Sequence, residues 1–156
     1  MNSSIIRYIL GYIIKLEGIF LLLPCIVALI YKESELSTYL FMSGVCLILG
    51  SLSTLKKAKN PVFYLKEGCV ATVLSWVILS FFGAIPFVLT GEIPSFTDAM
   101  FETVSGFTTT GASILTDVEA LSHTSLFWRS FTHWIGGMGV LVFLLAIIPL
   151  SGGSNM

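Results

Sequence analysis

The sequence predicts an all-α membrane protein: four transmembrane helices, with one short re-entrant helix and its following loop set between the third and the fourth. Three observations predict it. Hydrophobic residues make up 55% of the 156 residues and charged ones only 11%, with mean hydropathy +0.93, where a soluble domain carries about 25% charged residues. Residues 36–55, 68–91 and 130–156 contain no Asp, Glu, Lys or Arg, and about 20 helical residues cross a hydrocarbon core of about 30 Å. Residues 91–123 are too long for a hairpin turn and too apolar for an ordinary loop.

The first span is the least clean. Residues 18–31 are uncharged but too short alone, so the helix must begin before Lys15 and Glu17. Lys15 can snorkel to the interface. Lys15 and Glu17 stand at i and i+2, which do not share a helix face, so they are not read as a paired intramembrane site. The expected spans are residues 5–31, 36–55, 64–90 and 124–150, with a break at Asn60-Pro61 before the third.

Charge distribution orients these spans. Arg7 precedes the first. Lys56, Lys57, Lys59 and Lys66 crowd between the second and third, while only Lys32 lies between the first and second. No Lys or Arg occurs from Glu92 to Thr124. By the positive-inside rule both termini are cytoplasmic and residues 91–123 face outside. The net charge of −1 gives no field that would draw nucleic acid. Cys25, Cys46 and Cys69 lie in or beside apolar stretches without C-x-x-C spacing, as expected of buried free thiols. Lys32, Glu33 and Glu35 follow the first apolar run where a cleavable leader would show small residues.

Within 91–123, Ser95-Phe-Thr-Asp98 reads as a helix N-cap followed by an acid in the first turn. The spacing predicts a helix over about 95–106, or about 15–18 Å, which enters a membrane without crossing it. Residues 107–113 then run Phe-Thr-Thr-Thr-Gly-Ala-Ser. Three β-branched threonines between Gly106 and Gly111 resist helix. Irregular backbone at membrane depth is tolerated only inside protein or lining water. Carbonyl oxygens presented this way can replace the hydration shell of a monovalent cation, and Gly111 allows torsions that a side chain forbids. The negative end of the short helix aims at the same spot. Glu92, Asp98, Glu102, Asp117 and Glu119 make the outer segment acidic, as a cation entrance would be. Glu102 is the best placed for a structural role behind the loop. Arg129 is the only base after Lys66 and is expected to pair with a carboxylate of the outer loop, to cap a loop element from a neighbouring repeat, or to sit at the interface.

Competing chemistries are poorly supported. Gly106 and Gly111 have the spacing of a phosphate loop, but Ala112-Ser113 follows where Lys-Ser/Thr is needed. No nucleophile elbow accompanies His123 or His133, and no enzyme is expected. His133 beside Trp134 reads as part of an aromatic cluster with Phe127 and Trp128. Gly136-Gly137-Met138-Gly139 suits a close helix approach in the last span.

Phe101-Glu-Thr-Val-Ser-Gly-Phe-Thr-Thr-Thr-Gly-Ala-Ser-Ile-Leu-Thr-Asp117, followed by Leu126-Phe-Trp-Arg-Ser-Phe-Thr-His-Trp-Ile-Gly-Gly-Met-Gly139, resembles the first pore repeat of Trk-type potassium uptake proteins, the TrkH branch of the Trk/Ktr/HKT superfamily. Lys66-Glu-Gly68 and Leu74-Ser-Trp76 resemble the start of that repeat's first helix. The resemblance runs over essentially the whole chain and is most specific over 98–139. It implies a fold of four helix–pore loop–helix repeats around one pore, each giving a filter strand. Residues 1–60 would be the leading helix pair and 61–156 the first repeat. The carbonyls of Thr109 and Thr110 would ligate K⁺, with Thr108 and Gly111 completing the strand. No cofactor is implied beyond K⁺ as the transported ion. Implied partners are the remaining repeats or further copies of the chain, a second protomer in a homodimer, and a cytoplasmic nucleotide-binding regulator of the TrkA type. The implied location is the cell inner membrane. Because the chain stops after one repeat, we expect a fragment or truncated product. The alternative is a non-conducting scaffold that packs with partner helices through Gly136–Gly139.

Overall fold

A computed structural model describes residues 3–55 and 65–151. The basic cluster Lys56, Lys57 and Lys59, the Asn60-Pro61 break and the last five residues lie outside the described residues. Six α-helices follow in order: α1 (Ser3–Phe20), α2 (Leu22–Tyr31), α3 (Leu36–Leu55), α4 (Leu65–Leu89), α5 (Phe96–Phe107) and α6 (His123–Ser151), with a 3₁₀ turn at Val118–Ala120. Among the described residues, three stretches are long and apolar enough to cross a membrane: Ser3–Tyr31, Leu36–Leu55 and Glu67–Leu89. The 29 residues of α6 reach about 43 Å at 1.5 Å per residue, which is also ample. By contrast, the 12 residues of α5 reach only about 18 Å.

The first span is two helices where one was expected. Pro24 has no N–H for the Phe20 carbonyl, and its ring crowds that group, so the ladder lapses at Leu21. Leu21 stays in the right-handed region and still donates to Glu17 O at 2.9 Å, so the span continues. Lys32, at φ 57°, ends α2 in the left-handed conformation, and Glu33 N reaches back to Ala28 O at 3.0 Å.

Between lipid-embedded helices, burial of apolar surface gives little drive, because lipid tails are as apolar as leucine. Close approach and hydrogen bonds must act instead. At Gly11, Gly18 and Gly50 a Cβ would collide with the facing helix, so α1 and α3 pack at short range. Ser43 Oγ donates to Gly18 O at 2.6 Å across the same seam. Sequence reading placed small-residue packing only in the last span and missed this one. A second set of contacts holds α6. Tyr39 and Trp128, both fully buried, bond to Ser125 Oγ at 2.9 Å and Gly83 O at 3.0 Å. Ile30 and Phe41, among others, point outward at 71% and 62% exposure, as lipid or neighbouring helices require.

The first backbone donors of α6 are met from two other elements. Glu33, in the α2–α3 connection, takes His123 N and Thr124 N at 2.9 Å each, Thr124 Oγ1 at 2.5 Å and His123 Nδ1 at 2.9 Å. Glu92, after α4, takes Ser122 N at 2.6 Å. Tyr31 stacks on His123 with ring centroids 4.0 Å apart. Two carboxylates thus sit at the positive end of a helix dipole and tie all three connections together at one end of the bundle. Burial pushes the Glu33 carboxyl up, but its hydrogen bonds to Thr124 and His123 outweigh that and hold it at about 2.

Glu33→Ala should lower the melting temperature, at about 0.5–2 kcal/mol for a lost helix cap. The charged carboxylate contributes fully above its ordinary value of 4.5, and that contribution is lost as pH falls from 4.5 to about 2. Thermal melts in that window should converge for the variant and the parent.

Candidate functional site: a strand of exposed carbonyls on a short helix

Ser95 caps α5, accepting from Asp98 N at 3.4 Å. The helix was expected to end near Gly106 and runs one residue further, to Phe107. Its end is a left-handed cap. Thr108 N donates to Val104 O, Thr109 N to Gly106 O and Thr110 N to Ser105 O, each at 2.9 Å. The last two are the paired bonds of a Schellman turn, with Thr109 where glycine is usual. Thr109 sits at φ 56°. A β-branched residue there is an outlier, at a cost of about 1–2 kcal/mol.

The sign of φ then alternates: negative at Thr108, positive at Thr109, negative at Thr110, and +75° at Gly111. An ordinary strand keeps φ negative throughout, so this run is not one. Residues 108–114 are exposed. Among the described residues no donor lies on the carbonyls of Thr109, Thr110 or Gly111. The threonine hydroxyls are spent locally: Thr108 Oγ1 on Val104 O at 2.7 Å and near Thr110 Oγ1 at 2.8 Å, Thr109 Oγ1 on Thr108 O at 2.7 Å. They brace the strand rather than reach outward.

Behind the strand the polar groups are satisfied. Ser105 Oγ donates to Ala112 O at 2.5 Å. The Glu102 side chain is fully buried and receives Arg129 Nε at 2.5 Å. Its oxygens also take Ser113 Oγ at 2.9 and 3.1 Å and Ile114 N at 3.1 Å. One carboxylate therefore joins α5, the far end of the loop and α6. Removing Arg129 would strand a buried charge, at about 3–5 kcal/mol.

The two remaining sides are shaped by glycine. A Cβ on Gly136 would land on the Phe107 carbonyl oxygen, one on Gly106 would strike the Thr132 hydroxyl, and one on Gly139 would meet the Trp76 ring. Gly137 faces only the Thr109 methyl, at 3.9 Å, and Met138 is 48% exposed. So Gly136 and Gly139 serve two different neighbours within this chain.

Several expectations change. The acidic entrance is mostly structural: Glu102 is buried, Glu92 caps α6, and Asp117 accepts Glu119 N at 3.0 Å. Trp128 lies in the core, and His133 Nδ1 contacts Arg129 O at 2.9 Å, while the stacked rings are Phe127, Phe131 and Trp134. Cys25 and Cys46 are buried thiols, but Cys69 is exposed. Glu17 was set aside with Lys15, and Glu33 was read only as charge after the first apolar run, because neither belongs to a local motif.

Residues 38–156 match the family model of TrkH, described as a cation transport protein. The chain belongs to the TrkH family. An uncharacterized cation transporter of Methanocaldococcus jannaschii is 43% identical over 94% of this chain and 31% of its own length. The Trk system potassium uptake protein TrkH of Escherichia coli K12 is 36% identical over 100% of this chain and 33% of its own length. The crystal structure of the potassium transporter TrkH from Vibrio parahaemolyticus superposes with TM-score 0.88 at 32% identity, over all of this chain and 34% of that one. The chain thus spans about a third of the length of the TrkH relatives it matches.

Neighbouring substitutions separate the roles of the glycines. Gly136→Ala should destabilise by about 1–3 kcal/mol through overpacking, whereas Gly137→Ala should melt within error of the parent. Thr109→Gly removes about 1–2 kcal/mol of torsional strain against about 0.5–1 kcal/mol of added chain entropy. Its melting temperature should equal or slightly exceed the parent's.

Proposed function

We propose that this chain supplies one of four selectivity-filter strands to a Trk-type potassium uptake pore in the cell inner membrane. The single observation that carries the reading is the Thr109–Gly111 run: consecutive exposed residues whose carbonyls have no donor among the described residues, set at the C-terminal end of a helix too short to span the bilayer. Such carbonyls suit a dehydrated monovalent cation. Thr109 and Thr110 provide the ligands, and Thr108 and Gly111 complete the strand. The named potassium uptake relatives support K⁺ as the ion, and no resident cofactor is needed.

In this reading residues 1–60 form a leading helix pair and 61–156 the first helix–pore loop–helix repeat, with both termini cytoplasmic. One strand cannot surround an ion, so three more must come from further repeats or further copies. A homodimer and a cytoplasmic nucleotide-binding regulator of the TrkA type are the partners the family resemblance adds.

The test is K⁺ uptake in a transport-deficient host, from the complete reading frame that carries these residues. The parent should restore growth at low K⁺. Gly111→Arg should abolish uptake while leaving membrane expression intact, because the arginine puts a bulky cation on the strand at a position of positive φ. Unchanged uptake in that variant would remove the filter assignment.

A further inference from the structure

Glu17 is 1% exposed, in the middle of the first span, and neither carboxyl oxygen has a hydrogen-bond partner. It lies behind the short helix. A Cβ built on Gly83 of α4 would sit 3.2 Å from the Phe107 ring, 3.3 Å from the Thr103 methyl and 3.4 Å from Glu17 Oε1. The carboxyl therefore lies against α4 at Gly83, beside the spot that the Thr103 and Phe107 side chains of α5 also approach.

Among the described residues, Lys15, Arg129 and His133 are turned elsewhere. On its own helix, Lys15 lies over the Tyr12 ring at 5.2 Å. From α6, Arg129 is engaged by Glu102 and His133 by the Arg129 carbonyl. On α5, Glu102 turns toward Arg129 and the loop. From α3 the nearby titratable group is the buried Cys46 thiol, whose Cβ lies beside Gly18. In α2, Cys25 is occupied with Leu21 O at 3.3 Å. An isolated carboxylate in so apolar a place would forfeit its hydration without compensation. Ionisable groups within membrane spans mark functional sites more often than structural ones.

We propose that Glu17 is an intramembrane proton-binding site that latches α1 to α4 at Gly83, beside the short helix α5. With its proton bound, the neutral acid lets α1 stay packed against α4 at Gly83. When the proton passes to water or hydroxide, the carboxylate must be hydrated, and α1 has to part from α4 to admit that water. The leading helix pair thereby reports proton concentration to the element that carries the filter strand. This proposal stands apart from the ion assignment.

The protein expressed from its complete reading frame, purified in detergent, tests it with Glu17→Gln, a neutral isostere. Infrared difference spectra at neutral pH should contain the carbonyl stretch of a protonated carboxyl in the parent, and Glu17→Gln should lose it. The parent's melting temperature should fall by about 5 °C from neutral to alkaline pH, while the variant's stays level. Unchanged carboxyl bands would overturn the proposal, as would parallel melting shifts in both proteins. So would failure of Glu17→Gln to fold, because a site built for the anion would reject an amide and a site built for the neutral acid would accept it.

Discussion

The buried Glu102 carboxylate carries the constraint on which the candidate site depends. It is a charge without solvent, so it persists only while Arg129, Ser113 and the Ile114 N–H surround it. Those donors belong to two pieces of chain, α6 and the far end of the loop, and the carboxylate itself to α5. Satisfying one side chain therefore sets where α6 crosses α5 and how far the loop may extend before it must turn back. Gly136 completes the arrangement by letting α6 lie on the Phe107 carbonyl. The exposed carbonyls are presented by this scaffold and contribute little to it.

Strain is concentrated where the scaffold is strongest. Thr109 holds a left-handed conformation that β-branched residues avoid, and it does so between the Schellman bonds and its own hydroxyl bond to Thr108 O. About 1–2 kcal/mol of torsional cost is small beside the cost of breaking the Glu102 cluster, about 3–5 kcal/mol. The helix end can therefore impose its geometry on the threonine.

The connections at the start of α6 follow the same logic with other residues. Glu33 and Glu92 belong to different parts of the chain, yet both end on the first backbone donors of α6. Helix starts leave several donors unsatisfied, and in a thin connection between membrane spans few side chains can reach them. This explains why Glu92, one of the acids that read as a cation entrance, is used as a cap. Within the spans, glycines and one serine replace the apolar drive that lipid cancels.

The sequence alone determined the spans, the short helix with its Ser95 cap, the threonine-rich loop and the close approach near Gly136. Each is a local property: uncharged length, capping residues, β-branching, absent side chains. Glu102 and Arg129 were legible as candidates, because an acid in an apolar helix and a lone base both need partners. Only the tertiary structure decided that they partner one another. It also decided that Glu33 caps α6 across 90 positions of chain, that Trp128 is core, and that Glu17 is sealed behind the short helix. Those facts rest on which faces meet when helices far apart in sequence pack. Helical periodicity orders the faces of each helix, but the partner of each face is settled by shape and hydrogen-bond satisfaction across the whole bundle.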